Sequence, residues 1–139
     1  MVPLHYRVDK TLRVQKRLAS GQKCPYCKRP MSVDDNTDLE PTIDHIVTQG
    51  RGGSNNPENL VWSCRRCNNL RDEVPHDVFV CFAQHVVMQY PDYSVAILRK
   101  ALREFVYWLA QSALGKKPAI NHAVRMSLLR LASDVERNR

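Results

Sequence analysis

The stretch Cys24-Pro-Tyr-Cys27, followed by Thr42-Ile-Asp-His-Ile-Val47 and then by Leu60-Val-Trp-Ser-Cys64-Arg-Arg-Cys67-Asn-Asn-Leu-Arg71, decides the fold of this chain. Its two Cys-x-x-Cys pairs make a four-thiolate set. A two-residue spacer lets both sulfurs of a pair reach one ion, and zinc prefers a tetrahedron of such soft ligands. Four thiolates leave no open position, so Cys24, Cys27, Cys64 and Cys67 are expected to hold a structural Zn2+ ion. A pair of disulfides and a redox dithiol are the rival readings. A cytoplasmic setting, where disulfides are rare, and the lack of a thioredoxin-like βαβ pattern argue against both. The fifth cysteine, Cys81, sits in Val78-Phe-Val-Cys-Phe82 and reads as a small buried hydrophobe.

The gap between the pairs is longer than in simple zinc ribbons, so something has been inserted there. Thr42 to Val47 has strand character, Gln49 to Asn56 is a loop rich in Gly, Ser and Asn, and Leu60 to Ser63 is a second short strand. Cys64 to Glu73 then opens a helix that Pro75 would stop. Upstream, Val8, Leu12, Val14 and Leu18 mark a short amphipathic helix with Gly21 as its stop, and Asp34 to Asp38 is polar loop.

Beyond Pro75 the pattern is helical. One helix is expected from Pro75 to about Tyr90, broken by Pro91. A longer one, capped by Asp92 or Ser94, runs to Leu114 before Gly115, and a last one from Pro118 to Val135. Ala96, Leu98, Leu102, Phe105, Val106, Leu109 and Leu114 follow helical spacing, and Leu128, Leu129 and Leu131 continue it. The expected class is α+β: a small zinc-stapled site in residues 1–74 and a mostly helical extension in residues 75–139. That extension reads first as a packed core against which the small site docks. A homodimer interface or a DNA-positioning module is the sharper alternative, and a phage or bacterial protein is a further expected partner.

With 139 residues, 43% of them hydrophobic, the chain can bury a core, but apolar residues are sparse before residue 60. The first half is short of core and needs another staple. The net charge of +7 favours a polyanionic partner through phosphate contacts. Met1-Val-Pro-Leu-His-Tyr-Arg7 lacks a charged region followed by an apolar run, and no apolar stretch is long enough to span a bilayer. A cytoplasmic protein with no membrane partner is therefore expected.

The residues that carry chemistry are Asp44-His45, Arg51-Gly-Gly-Ser54, Asn59-Leu60 and Cys67-Asn68 with Arg71. Singly they are weak: an isolated histidine is more often structural, and an asparagine often caps a turn. Together they converge. The knuckles would pin the start of the helix against the hairpin, letting Asp44 and Asn68 point at one space. Their oxygens are hard ligands suited to Mg2+, which keeps several waters and accepts phosphate oxygens.

This constellation resembles the HNH endonuclease family, with its ββα-metal site, in a four-cysteine variant. The resemblance covers Cys24 to Arg71; Asn68 stands where histidine is commoner. It implies a metal-dependent hydrolase of DNA phosphodiester bonds. His45 would be the general base, a role suited to a side chain that titrates near neutrality. Asp44 and Asn68 would hold one divalent cation, Mg2+ or Mn2+, and Asn59 would orient His45. Arg71 would contact phosphate, and Arg51, Arg65 and Arg66 are candidates for DNA backbone contacts. The competing function is a non-catalytic zinc-stapled module that binds nucleic acid, which has no need for Asp44, His45, Asn59 and Asn68 together. An RNA-directed nuclease shares the same phosphate chemistry.

Overall fold

A hairpin of two short strands followed at once by a helix forms the centre of the N-terminal half. The structure, a computed structural model, describes residues 10–34, 38–112 and 119–137. In chain order its elements are α1 (Lys10–Ala19), β1 (Pro41–His45), β2 (Leu60–Cys64), α2 (Arg65–Arg71), α3 (His76–His85), α4 (Val95–Ser112) and α5 (Ala119–Arg137). Short 3-10 turns lie at Gln49–Arg51, Pro57–Asn59 and Val87–Gln89. The chain is thus α+β, as expected. It divides into two compact units, Met1–Val80 and Cys81–Arg139. The expected positions Val8, Leu114, Gly115 and Pro118 lie outside the described residues, as does part of the polar loop after Asp34.

In the first unit, β1 and β2 pair antiparallel, with Pro41 opposite Cys64, Ile43 opposite Trp62 and His45 opposite Leu60. Every residue of β2 is buried, whereas β1 buries only Pro41 and Asp44. A lone two-stranded ribbon is marginal in water, so this one depends on what covers it. The covering element, α2, starts directly at the end of β2, and Cys64 caps it: the Cys67 amide donates to the Cys64 sulfur at 3.4 Å. The helix stops at Arg71, earlier than the proline alone predicts. Asp72 takes a left-handed backbone with φ of 51°, which breaks the helical run before Pro75 is reached.

The knuckle at Cys24–Cys27 is a tight backbone loop. The Cys24 amide donates to the Arg29 carbonyl at 2.8 Å, and the Lys28 amide donates to the Cys24 carbonyl at 3.0 Å. Gly21, at φ of 88°, ends α1 and returns the chain, its amide reaching the Met31 carbonyl at 2.7 Å. That return turns Gln15 and Ala19 inward and leaves Val14 and Leu18 more than half exposed, at 56% and 57%. Val14 and Leu18, read from the sequence as apolar-side positions, are therefore not buried: against so tight a return of the chain, the inward position is taken by the small Ala19.

The four cysteine sulfurs lie within 4.8 Å of one another, and all four residues are buried. Around a tetrahedral ion with Zn–S bonds of ~2.3 Å, sulfurs sit about 3.8 Å apart. The Cys27 and Cys64 sulfurs are 3.8 Å apart, too far for a disulfide, and all four cysteines are free thiols. Mutual hydrogen bonds within the cluster hold the Cys27 thiol far below its ordinary range and Cys64 and Cys67 far above theirs, so the four titrate as one group. The cluster is positioned to bind a metal such as zinc.

The loop between the strands is set by two glycines. Gly52 adopts φ of 85°, closing the turn at Gln49–Arg51. Gly53 lies so close to the backbone that an added Cβ would sit 1.7 Å from the Val47 carbonyl oxygen.

In the second unit, α4 and α5 pack along each other. Leu98, Ala101, Leu102 and Phe105 of α4 and Ala123 and Leu131 of α5 are buried, and the Phe82 and Phe105 rings meet at 5.4 Å. Leu129, on the far side of α5, is 56% exposed. The α-helical part of α3 ends at His85 and the chain continues to Gln89 as a 3-10 turn, so the segment expected as one helix to Tyr90 is two pieces.

Two outcomes follow for stability. Metal analysis should find one zinc ion per chain. Cys67→Ser should lose it together with cooperative thermal unfolding of residues 1–80, because ligation of this kind is itself folding free energy. Gly53→Ala should lower stability by about 1–3 kcal/mol in denaturant melts, since its clash is with backbone that cannot swing away.

Candidate active site

Asp44, at the penultimate position of β1, is 4% exposed, and each of its carboxylate oxygens has a partner. Oδ1 accepts from Arg71 Nη1 at 2.9 Å and Oδ2 from the Tyr26 hydroxyl at 2.5 Å. A carboxylate offers about four acceptor positions, so two partners leave room for others. Asp44, His45 and Asn68 line one cleft of about 290 Å3, which they share with Thr48, Asp72 and Glu73. Two of the three lie on β1, while Asn68 and Asp72 come from α2 and its end. The abutment of β2 and α2 at Cys64 is what brings those elements together.

Asn68 is anchored by its nitrogen. Nδ2 donates to the Ile43 carbonyl and to Thr42 Oγ1, both at 3.0 Å. The amide oxygen, Oδ1, accepts from no described residue, and so remains a hard donor at the cleft. An aspartate oxygen and an asparagine oxygen on one cleft fit a divalent cation that retains waters. Nearby, Thr48 donates to Glu73 Oε2 at 2.7 Å, fixing a second carboxylate at the rim.

His45 closes β1, after which the chain bends at Ile46 and Val47. Its Nε2 lies 2.8 Å from Asn55 Oδ1, and Gln49 Nε2 donates to that same atom at 3.2 Å. With that atom the amide oxygen, the ring donates to it as the Nε2–H tautomer, which leaves the lone pair on Nδ1. Asn55 is thus the ring's partner. Asn59, expected in that place, instead braces the loop: it accepts from the Val47 amide at 2.8 Å and donates to the Val47 and Ser54 carbonyls at 3.0 and 2.7 Å. Any hold of Asn59 on His45 runs through the backbone, where the Ile46 amide donates to the Asn59 carbonyl at 2.8 Å.

Arg71 is wholly buried. Beyond Asp44, Nη1 donates to the His45 carbonyl at 2.7 Å, Nη2 to the Ile46 carbonyl at 2.6 Å and Nε to the Val74 carbonyl at 2.8 Å. The sequence reading set this guanidinium against phosphate; its donors are turned inward, and it ties α2 to the end of β1. Arg66 is likewise buried, at 3% exposure, where a phosphate contact was expected. Both lie on a helix packed against the hairpin, and that packing takes their side chains. Arg51 is exposed and donates to the Glu73 carbonyl at 3.0 Å, and the partly exposed Arg65 pairs with Glu40, which also meets Lys16.

Two residues to which sequence reasoning gave no role complete the network. Tyr26, between the knuckle cysteines, reaches Asp44, and His76 Nδ1 lies 3.1 Å from the Tyr26 hydroxyl. Burial, reinforced by the Asp44 charge, pushes the Tyr26 phenol far up, so it stays a neutral donor. Burial, followed by the nearby Arg71 charge, lowers His76 and keeps it neutral. An aromatic between two ligands reads as packing, and nothing in its spacing points to Asp44.

Comparison with known proteins bears on the same segment. Residues 24–73 match the model of the HNH endonuclease family. A 68-residue stretch is 32% identical to a CRISPR-associated endonuclease Cas9 of Corynebacterium diphtheriae, covering 48% of this chain and 6% of that relative's length. No solved structure matches. The match begins at the first knuckle cysteine and ends beside the last residues of the cleft, spanning the hairpin, the helix and all four thiols. Residues 24–73, the segment that carries the cleft and the four cysteines, are thus similar to the HNH endonuclease family.

Proposed function

We propose that the chain is a metal-dependent endonuclease that hydrolyses DNA phosphodiester bonds in the cleft at the end of β1. The observation that carries this reading is the sharing of one cleft by His45, Asp44 and Asn68, whose oxygen accepts from none of the described residues. DNA as substrate draws support from the family and from the net charge of +7.

His45 acts as the general base. With Nε2–H given to Asn55, Nδ1 is the nitrogen that takes a proton from the attacking water. Asn55 then orients the ring and supports the positive charge that develops on it, while Asn59 holds the loop that carries Asn55. Asp44 and Asn68 would hold one divalent cation, Mg2+ or Mn2+, which when bound offsets charge on the phosphate and on the leaving oxygen. Of the four arginines expected to meet phosphate, Arg51 and Arg65 are the two that are not buried, and they are assigned to phosphate contacts. The products are a 5′-phosphate and a 3′-hydroxyl. Residues 1–74 would then form the nuclease part and residues 75–139 a helical extension. Among the described residues no helix is long and apolar enough to cross a membrane.

Plasmid cleavage tests the reading. Wild type should cut with added Mg2+ or Mn2+ and not in EDTA. His45→Ala, carrying its zinc, should lose about 10²–10⁴-fold in rate, the range a positioned general base supplies. Equal inertness of both proteins on supercoiled, linear, single-stranded and branched DNA would favour a zinc-stapled module that binds nucleic acid without cutting it. Asn55→Ala should lower the rate less than His45→Ala while leaving the metal requirement unchanged, as measured by initial rates across a Mn2+ titration.

A further inference from the structure

Tyr26 stands at the point where the four-cysteine cluster and the cleft meet. Its side chain is fully buried, with the ring edge-on to Phe79 at 4.9 Å. A phenylalanine would pack there as well, so packing does not account for the hydroxyl. That hydroxyl lies 2.5 Å from Asp44 Oδ2, 3.2 Å from Arg71 Nη1 and 3.1 Å from His76 Nδ1.

Proton counting orders these contacts. The ionised Asp44 has no proton to give, and Arg71 has no lone pair to offer. The single phenolic hydrogen therefore goes to Asp44. The phenolic oxygen accepts from His76 in the Nδ1–H tautomer and takes only a shared hydrogen from Arg71, whose two Nη1 hydrogens point at Asp44 Oδ1 and the His45 carbonyl. Asp44 is in this way gripped on separate oxygens by donors from separate elements, Arg71 on α2 and Tyr26 on the knuckle. Two such donors stop the carboxylate from turning about its last bond and fix where its remaining lone pairs point. Arg71 also braces three backbone carbonyls, so its loss would disturb the fold; the Tyr26 hydroxyl touches side chains only.

We propose that Tyr26 is a positioning residue of the cleft: from between the first two cysteines its hydroxyl fixes the Asp44 carboxylate, tying the cleft's affinity for a divalent cation to the four-cysteine cluster. The proposal rests on the reading of Asp44 as a cation ligand. Partners of this kind, which orient a ligand without touching the ion, typically set about 10- to 100-fold of metal affinity.

The test is Mn2+ binding to the zinc-loaded full chain without DNA, followed by the electron paramagnetic resonance signal of free Mn2+, for wild type, Tyr26→Phe and Asp44→Asn. Tyr26→Phe should bind Mn2+ about 10- to 100-fold more weakly while keeping its zinc and its DNA affinity in EDTA. Its cleavage rate should return toward wild type at saturating Mn2+, placing the defect in metal affinity and not in turnover. Wild-type Mn2+ affinity in Tyr26→Phe, with Asp44→Asn defective, overturns the role of Tyr26 alone. Wild-type affinity in Asp44→Asn overturns the ligand reading and the Tyr26 proposal with it. Should Tyr26→Phe lose zinc, His76→Leu takes its place: it spares both knuckles and removes the donor that holds the hydroxyl. Several-fold weaker Mn2+ binding is expected there, and unchanged affinity overturns the proposal.

Discussion

Four sulfurs held within 4.8 Å of one another join two parts of the chain separated by 36 residues of loop and hairpin, from Cys27 to Cys64. The rest of the N-terminal unit depends on that junction. A five-residue strand pair and a seven-residue helix have too little apolar surface to hold one another in water. The cluster supplies what the core lacks, and it does so at a particular place. Cys64 is at once the last residue of β2, the cap of α2 and a member of the cluster. The angle between the hairpin and the helix is thereby pinned where Asp44 and Asn68 must face a common space.

A second junction lies one layer further in. Burying Arg71 and Asp44 together removes two charges from water, and such a pair is tolerable only when its remaining hydrogen-bonding groups are satisfied. Here the guanidinium meets three carbonyls and a phenol besides the carboxylate. The network stiffens the end of β1, where His45 emerges, and holds the carboxylate at the floor of the cleft. Its charge is balanced internally, so the cation site proposed here would draw its affinity from lone pairs held in place and from the acidic rim at Asp72 and Glu73.

Much of this was legible in the sequence because it is local. Cysteine spacing announces the cluster, alternation and glycines announce the hairpin and its loop, and the helical period from Leu98 to Phe105 announces the core of α4. The class of the fold and the likeness of residues 24–73 to the HNH endonuclease family followed from those signals. What was not legible is which side chain meets which. Arg71 resembles a phosphate ligand in spacing, yet its direction is set by packing of α2 on β1. Asn59 and Asn55 are both loop amides, and only the bend at Ile46 decides that Asn55 reaches the ring. Tyr26 carries no signal of its own, because its partner lies 18 residues away across the hairpin. Val14 and Leu18 of α1 were also misread, since the sharp return at Gly21 seats a small residue inward and leaves them outside.

The central claim is that the four-cysteine junction organises the cleft. Amide hydrogen exchange of the zinc-loaded and zinc-stripped chain tests it directly. The account predicts that removing the metal abolishes protection in β1, β2 and α2 together, and with it the protection of the Ile46 and Val47 amides that Asn59 holds. A stripped protein that keeps those amides protected would contradict it, and would mean that the Arg71–Asp44 network holds the site without the cluster.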